Sequence, residues 1–389
     1  MFDFSTPLDR IPHDCLKWSY LDGCCPDRDD ILPMWIADMD LAAPPAVLDA
    51  IHGRAAHPVY GYAGKPDGYY SSYMAWMKTR YGVDVRREWI EFSPGIVPAI
   101  ASAIRAFSAP GDGVTIMPPV YHPFAHLIGA NGRVVREAPL LAADGAYKLD
   151  LAALDRAAAQ SKLIVLCSPH NPVGRVWTRG ELEAVAEIAE RHDAIVVADE
   201  IHADLVYRPN VHVPSLAVSE RLNQRLLACW APSKTFNIAG LQTSYIVIPN
   251  DRLRAAFAKD GEASGVGVPN CFGTIAAQAA YEHGGPWLDE LMPFLRGNYD
   301  ALVAGLGAKA PALKVSPCEG TFLAWIDFRG AGLAGNVHAE LLSKAGLWLD
   351  AGSRFGTGGD GWARLNFGCP RATVDEAVRR LGEVFGPSS

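Results

Sequence analysis

Apolar and polar residues follow two different periods between about Asp84 and Asn250. Segments in which apolar residues recur at helical spacing separate short runs that are rich in apolar, strand-favouring residues. These runs, which predict strands, are "GVTIMPP", "RVVREAPL", "KLIVLCSP", "AIVVADE", "LLACWAP" and "SYIVIP". Because a regular exchange of strands and helices is typical of α/β proteins, we predict an α/β fold with a mainly parallel central sheet.

One of the intervening segments, "TRGELEAVAEIAERHD", carries the start signal of a helix. Thr178 and Glu181 have the spacing of a capping box, in which each side chain accepts a hydrogen bond from the backbone of the other residue. Apolar residues then recur at the helical period. We therefore predict a helix that begins next to Thr178.

The pattern changes after Pro286. The long amphipathic segment "PWLDELMPFLRGNYDALVAGLGAK" precedes a strand-like run, "TFLAWIDF", and a closing helix, "TVDEAVRRLGEVF". Near the other end, "APPAVLDAIHGRAA" predicts a helix with proline in its first turn, and the residues before it are expected to join the C-terminal part. We predict a smaller α+β domain formed by residues 1–43 and 286–389, and a larger α/β domain formed by residues 44–285.

Composition excludes several classes of protein. The chain has 389 residues, long enough for two domains, and its 49% hydrophobic and 20% charged residues are the balance of a globular protein. A net charge of −8 without a basic run argues against a nucleic-acid partner. Because there is no long apolar stretch and no signal-peptide pattern in "MFDFSTPLDR", we expect no membrane partner and a cytoplasmic location.

The chain contains eight cysteines, but they form no C-x-x-C pair and have no metal-like spacing. We therefore expect reduced, mostly buried thiols and no metal site. The adjacent Cys24 and Cys25 are assigned no function.

Lys234 lies in "CWAPSKTFNIAGLQ", directly after a predicted buried strand. A lysine in an apolar site loses hydration, which lowers its pKa and makes it a nucleophile toward carbonyl groups. Most lysines are solvated surface groups, so this position alone does not establish a catalytic role.

Two further polar residues follow predicted strands. Asp199 ends "AIVVADE", where it could pair with a protonated ring nitrogen of pyridoxal phosphate, although an aspartate that caps the next turn is an equally good interpretation. Asn171 lies in "LIVLCSPHNPVGRVW", where its amide could donate to a phenolate oxygen of the same ring. Taken alone, Asn-Pro is an ordinary turn dipeptide.

An anion site and an aromatic side chain complete this series. In "FSPGIVPAIASAIRAF" the turn from Gly95 to Val97 opens a predicted helix, whose free N–H groups and dipole favour phosphate, although many helices begin this way. Tyr121 follows another strand and could stack on a flat ring, or lie in the core. Each signal is weak singly, but all of them come at the carboxyl side of successive predicted strands.

The sequence resembles the pyridoxal phosphate enzymes of fold type I, which have an aspartate aminotransferase-like fold, in the class I/II aminotransferase superfamily. Within this superfamily it is most similar to the MalY/PatB group of cystathionine β-lyases, also called C–S lyases. The resemblance spans nearly the whole chain. It rests on "LPMWIADMD", "VYGY", "SPGIVPAI", "PPVYHPF", "CSPHNPVGRVW", "ADEIHADLVY", "APSKTFNIAGLQ" and "ARLNFGCPR".

The resemblance implies a pyridoxal 5'-phosphate cofactor and a role for each matching residue. Lys234 would bind the cofactor covalently and act as the catalytic base. Asp199 would hold the pyridine nitrogen, Asn171 would bond the ring hydroxyl, and Tyr121 would stack on the ring. His202, in "ADEIHADLVY", is a second-tier candidate for cofactor binding.

The cofactor phosphate would be bound by the backbone of Gly95, Ile96 and Val97 and by Ser233, while Tyr62 of "VYGY" would reach the phosphate of a neighbouring subunit. The resemblance therefore implies a homodimer with shared active sites.

The resemblance also implies residues that bind the substrate. Arg364 of "ARLNF" would bind its α-carboxylate as a bidentate fork, and Tyr121 would contact it as well. Trp35 could shape the pocket for the distal part of the substrate, although a core tryptophan is the commoner case. Tyr207, in "ADEIHADLVY", is a further candidate site residue, to which no particular contact is assigned.

Two positions depart from many aminotransferases. Ala231 replaces a phosphate-binding serine three residues before the lysine, and Gln242 replaces a basic residue eight residues after it. The phosphate site is therefore expected to depend more on Ser233, Tyr62 and the helix dipole.

These residues serve two reactions equally well. The favoured hypothesis is α,β-elimination from L-cystathionine or L-cysteine-type substrates to a thiol, pyruvate and ammonia, a reaction of sulfur amino acid metabolism. An aminotransferase is the second hypothesis. A non-catalytic regulatory module on the same fold is the third, and the presence of Lys234, Asp199 and Arg364 together argues against it.

Overall fold

Strands and helices alternate along most of the chain, as the sequence predicts. The computed structural model describes residues 1–19, 21, 25, 28–143, 145–333, 335 and 337–387. The strands are β1 (Leu32–Pro33), β2 (Ile90–Ser93), β3 (Gly113–Ile116), β4 (Val134–Glu137), β5 (Leu141–Ala143), β6 (Ala146–Lys148), β7 (Ser161–Cys167), β8 (Ile195–Asp199), β9 (Leu226–Trp230), β10 (Ser244–Val247), β11 (Lys314–Val315), β12 (Leu323–Asp327), β13 (Leu347–Trp348), β14 (Asp350–Ala351) and β15 (Trp362–Asn366).

The helices are α1 (Pro45–Ala55), α2 (Asp67–Tyr81), α3 (Ile96–Phe107), α4 (Pro123–Ala130), α5 (Leu151–Ala158), α6 (Arg179–Arg191), α7 (Glu220–Asn223), α8 (Pro232–Thr235), α9 (Asp251–Ala263), α10 (Cys271–His283), α11 (Gly285–Lys309), α12 (Val337–Glu340) and α13 (Arg371–Phe385). Helix α6 begins with the predicted capping box: the Thr178 side chain accepts from the Glu181 N–H, and the Glu181 side chain accepts from the Thr178 N–H. None of the helices in the described residues is long and apolar enough to cross a membrane.

The central sheet has seven strands in the order β2-β10-β9-β8-β7-β3-β4. The five strands from β9 to β4 are parallel to one another, and β10 is antiparallel to both of its neighbours. Strand β2 therefore runs in the same direction as β9, and all the strands except β10 end at one edge, which we call the carboxyl edge. The prediction of an α/β fold with a mainly parallel sheet is confirmed.

Both faces of this sheet are buried, which explains why its central strands are apolar without alternation. Along β7, Leu163 and Val165 pack into one core with helix α3, whereas Ile164 and Leu166 pack into the other core on the opposite face. Strand β2 is not among the predicted strands, since its four residues include Glu91 and run directly into the start of α3.

A smaller antiparallel sheet has the order β11-β12-β15-β14, and β1 pairs in parallel with β13. Residues 32–33 therefore lie beside the C-terminal part of the chain. The division into residues 1–43 with 286–389 and residues 44–285 stays a prediction. The cysteines that the structure describes are free thiols, and Cys24 lies outside the described residues.

Candidate active site

A cavity of about 180 Å³ opens at the carboxyl edge of the seven-stranded sheet. Its walls come mainly from the ends of β7 and β8 and from the segments that follow β2, β3, β7, β8 and β9, because these strands all finish at the same edge. The cavity brings together these predicted site residues: Gly95, Ile96, Val97, Tyr121, Asn171, Asp199, His202, Ser233 and Lys234.

Lys234 lies in the short helix α8, one turn beyond the end of β9, and not at the strand end itself. Its Nζ donates to the backbone oxygen of Ala37 at 2.5 Å. Burial lowers the pKa of Lys234 to about 8 because removal from water penalises the ammonium form, and the nearby carboxylates of Asp38 and Asp199 oppose this only in part. The amine is therefore partly neutral near pH 7.

Asp199 ends β8 and is 4% exposed. Its Oδ1 accepts one hydrogen bond, from the Ile201 N–H at 3.2 Å, and no described residue pairs with it as a cation within ion-pair distance. Burial raises the pKa of Asp199 to about 7, since an ionised carboxylate there lacks both water and a close counter-ion. The site thus offers a carboxylate that a cationic ligand would stabilise.

His202 and Asn171 line the same cavity as this carboxylate. His202 is 3% exposed and its Nδ1 has no hydrogen-bond partner among the described residues. Burial, with Lys234 and Arg364 nearby, holds the pKa of His202 well below its usual value, so the ring is neutral. Asn171 accepts from Arg364 through Oδ1, which leaves its amide nitrogen as the donor for a ligand.

The start of α3 closes another wall. Gly95 is the N-cap residue, and no side chain caps the first N–H groups of the helix. A Cβ at Gly95 would meet only Pro98 Cδ, at 3.6 Å, so the packing of the chain itself leaves this approach open. Ser233, Gln242 and Thr243 also line the cavity, and apart from Lys234 its described lining contains no lysine or arginine. An anion here would be bound mainly by the helix N-terminus and neutral donors.

Arg364, on β15, lies beyond Asn171 and is 3% exposed. Its Nη1 donates to Asn171 Oδ1 at 3.0 Å, and its Nη2 donates to the Trp35 backbone oxygen and to Asp350 Oδ2, both at 2.8 Å. The Nε–H group is buried and has no partner among the described residues. The Arg364 guanidinium is thus fixed next to the cavity, and its Nε–H is a donor that a ligand could use.

Besides Arg364, three candidates lie outside the cavity lining. The Trp35 ring stacks on Trp348 with centroids 5.0 Å apart. The Tyr207 hydroxyl donates to the Thr321 backbone oxygen at 2.7 Å, and neither residue lines the cavity. Tyr62 is fully exposed, so any role in cofactor binding requires a second subunit.

The described residues fit the pyridoxal 5'-phosphate that the resemblance implies. An amine with a lowered pKa, a buried carboxylate without a cation, an aromatic side chain and an uncapped helix N-terminus match its aldehyde, ring nitrogen, ring face and phosphate in turn. Sequence reasoning missed Thr243, the carbonyl of Ala37 and the carboxylate of Asp350. Ala37 acts through its backbone, which leaves no signal in residue type.

Comparison with known proteins shows the family to which the chain belongs. Residues 38–381 match the family described as aminotransferase class I and II. The chain is 41% identical to cystathionine beta-lyase PatB of Bacillus subtilis (strain 168), over 97% of this chain and 98% of that protein. It is 34% identical to protein MalY of Escherichia coli (strain K12), over 98% of each chain.

Among solved structures, cystalysin from Treponema denticola, which contains a pyridoxal 5'-phosphate cofactor, superposes with a TM-score of 0.95 at 34% identity. The superposition covers 99% of this chain and 98% of that structure.

Proposed function

Because the chain belongs to the family of class I and II aminotransferases, we propose that it is a pyridoxal 5'-phosphate-dependent carbon–sulfur β-lyase. It converts L-cystathionine or L-cysteine-type substrates, with water, into a thiol, pyruvate and ammonia. One observation carries the proposal. The buried Asp199, with no cation partner among the described residues, and Lys234, with its lowered pKa, line one cavity in a chain 41% identical to a cystathionine β-lyase.

The bound cofactor supplies an electron sink that stabilises negative charge at the substrate Cα. Asp199 would hold the ring nitrogen in its protonated form, and the burial of the carboxylate would strengthen that ion pair. Asn171 would donate to the ring hydroxyl, and Tyr121 would stack on the ring. The uncapped start of α3, with Ser233, would bind the phosphate.

Lys234 moves the proton. Its neutral amine would remove the proton from the substrate Cα, and the lowered pKa favours that neutral form. The Cβ–S bond then breaks with its electron pair leaving on sulfur, and the thiolate takes up a proton. The backbone oxygen of Ala37 accepts from Nζ and holds the side chain in the cavity.

Arg364 binds the substrate α-carboxylate. Its guanidinium is buried, and its link to Asn171 connects the carboxylate position to the ring. Because the same arginine and lysine also serve transamination, these residues do not select elimination. The proposal of a lyase over an aminotransferase is supported by the similarity to PatB.

The test is to incubate the purified protein, loaded with cofactor, with L-cystathionine. We expect equal amounts of pyruvate and free thiol, and neither product from Lys234→Ala. Transfer of the amino group to a 2-oxo acid, without pyruvate or thiol, would identify an aminotransferase instead. A protein that binds no cofactor, releases no pyruvate or thiol and transfers no amino group would be a regulatory module.

We also propose that the protein is a homodimer with shared active sites. Tyr62 lies in a stretch with Val59 and Tyr60. All three are large hydrophobic or aromatic side chains, and all three are exposed in the single subunit. A second copy that covers this stretch would bring Tyr62 to the partner's cofactor phosphate.

Hybrid dimers test this proposal. Subunits that carry Tyr62→Ala are mixed with subunits that carry Lys234→Ala, so that each hybrid contains one site with both native residues. Activity above that of either parent is expected. An active monomer in sedimentation, or hybrids no better than the parents, would contradict the shared site.

A further inference from the structure

Arg364 has a buried acidic partner that the mechanism above does not use. Asp350 on β14 is directly opposite Arg364 on β15 in the antiparallel register. Its Oδ2 accepts from Arg364 Nη2 at 2.8 Å, and the two side chains are 2% and 3% exposed. Side chains directly opposite each other on antiparallel strands interact closely, so the sheet itself fixes this pair.

Three acceptors from separate segments hold the guanidinium. They are the Oδ1 of Asn171, the backbone oxygen of Trp35 and the carboxylate of Asp350. Of the three, only Asp350 is charged, and hydrogen bonds between charged groups are stronger than those to neutral acceptors. Asp350 is therefore the strongest constraint on where the Arg364 fork points.

Asp350 also holds a second cation. Its Oδ1 accepts from Arg354 Nη1 at 2.8 Å, and the Arg354 side chain is 48% exposed. His122 Nε2 lies 3.9 Å from Asp350 Oδ2, but burial, with Arg354 nearby, lowers the pKa of His122 to about 4, so this ring is neutral near pH 7. Two guanidinium groups and one carboxylate leave the cluster with one net positive charge.

We propose that Asp350 is a positioning residue for substrate recognition: it orients Arg364 and leaves one positive charge for the single α-carboxylate of an amino acid. The inference rests on the proposed function of Arg364. Without this carboxylate, the Arg364 fork is held by neutral acceptors alone and lies close to an uncompensated Arg354.

Asp350→Asn is the main test, because it keeps the shape of the side chain and removes its charge. We expect KM for an S-substituted L-cysteine to rise about tenfold to hundredfold, as for loss of a hydrogen bond between charged groups. The kcat should change less than about threefold, since groups that act on Cα are untouched. The absorbance of the bound cofactor should stay unchanged.

A matched substrate separates positioning from general damage. The methyl ester of the same amino acid has no carboxylate charge for Arg364 to bind, so Asp350→Asn should leave its KM nearly unchanged. A control variant is Asp327→Asn: this aspartate ends β12 in the same small sheet and pairs with Arg329 through two hydrogen bonds, at a more exposed position. It should leave KM unchanged for both substrates.

Arg354→Gln keeps the test decisive if Asp350→Asn does not fold. Arg354 is half-exposed, so its loss is tolerated, and the cluster then has no net charge. We expect KM for the free amino acid to rise about threefold and KM for the ester to stay the same. Unchanged values for both substrates would overturn the proposal.

Other outcomes are equally decisive. A lower KM in Asp350→Asn would mean that Asp350 competes with the substrate for Arg364, which contradicts positioning. Arg364→Lys distinguishes the inference from its premise: if this variant itself leaves KM unchanged, the proposed function of Arg364 fails. If it raises KM while Asp350→Asn does not, only the inference about Asp350 is wrong.

Discussion

Two buried charged regions meet at Asn171, and they differ in how their charges are paired. At the carboxyl edge of the large sheet, Asp199 accepts one backbone hydrogen bond, and His202 Nδ1 has no partner among the described residues. On the small sheet, Arg364 donates to three acceptors, one of them the carboxylate of Asp350. In the first region a buried carboxylate has no cation partner among the described residues, so a ligand can pair with it. In the second region the buried cation and carboxylate already pair with each other.

This difference has an energetic meaning. A buried charge without a partner lowers stability, and a ligand that pairs with it returns that free energy as affinity. A buried charge that is already paired adds no such affinity, but it holds a recognition group in place. We therefore expect substitutions in the two regions to change stability in opposite directions.

The largest effect is expected for Lys234→Ala. Loss of the base should lower kcat by at least about 10³-fold, and the absorbance band of the covalently bound cofactor should disappear. Lys78→Ala is the control, since this exposed lysine forms its ion pair with Asp84, away from the cavity lining. Retention of more than a tenth of the wild-type kcat in Lys234→Ala would contradict the assigned role.

The next effect compares the two regions directly. The pKa of Asp199 is raised to about 7 in the folded chain, so the folded state binds more protons than the unfolded state between about pH 4 and pH 7. Stability therefore falls as the pH rises through this window, and the full penalty is present above pH 7. Asp199→Asn should stabilise the cofactor-free protein by up to about 4 kcal/mol at pH 8 and by little at pH 4.

Asp350→Asn should do the reverse, because Arg364 and Arg354 lose their shared carboxylate. A loss of about 3 kcal/mol is expected. Denaturant unfolding of both cofactor-free variants at pH 8 measures the two values. If both substitutions destabilise the protein to the same extent, the contrast between the regions is wrong.

Much of this site follows from local pattern. Asp199, Asn171 and Lys234 each come at or just after a strongly apolar strand, and parallel strands bring such positions to one edge. Gly95 follows β2, which was not predicted, but the pattern of apolar residues after it predicted the start of α3.

The part of the site that lies on the small sheet could not be predicted in the same way. Strand β14 has only two residues, Asp350 and Ala351, and carries no periodic signal. Its pairing with β15, which brings Asp350 opposite Arg364, depends on tertiary packing. Tyr207 was a reasonable candidate by sequence position, yet the fold directs its hydroxyl to the backbone of Thr321.

A smaller effect concerns pH and Lys234. With a pKa of about 8, the neutral fraction of this amine rises about tenfold between pH 7 and pH 9 and then levels off. The rate of covalent cofactor uptake, followed by absorbance, should show the same curve. A rate that still rises steeply above pH 9 would indicate an ordinary lysine.

The smallest effect is expected for Ser233→Ala. Removal of one neutral donor from the proposed phosphate site should weaken cofactor affinity about tenfold, as for one hydrogen bond to a charged group. Equilibrium titration with pyridoxal 5'-phosphate measures this, and Ser219→Ala, which removes only the cap of α7, is a control far along the chain. An unchanged affinity would remove Ser233 from the phosphate site.

The central claim is that the carboxyl edge is completed by pyridoxal 5'-phosphate. The direct measurement is to titrate the cofactor-free protein with it at pH 8 while recording absorbance and the thermal midpoint of the same samples. We predict a visible band and a midpoint raised by about 5 °C or more at saturation. No band and an unchanged midpoint would contradict the account.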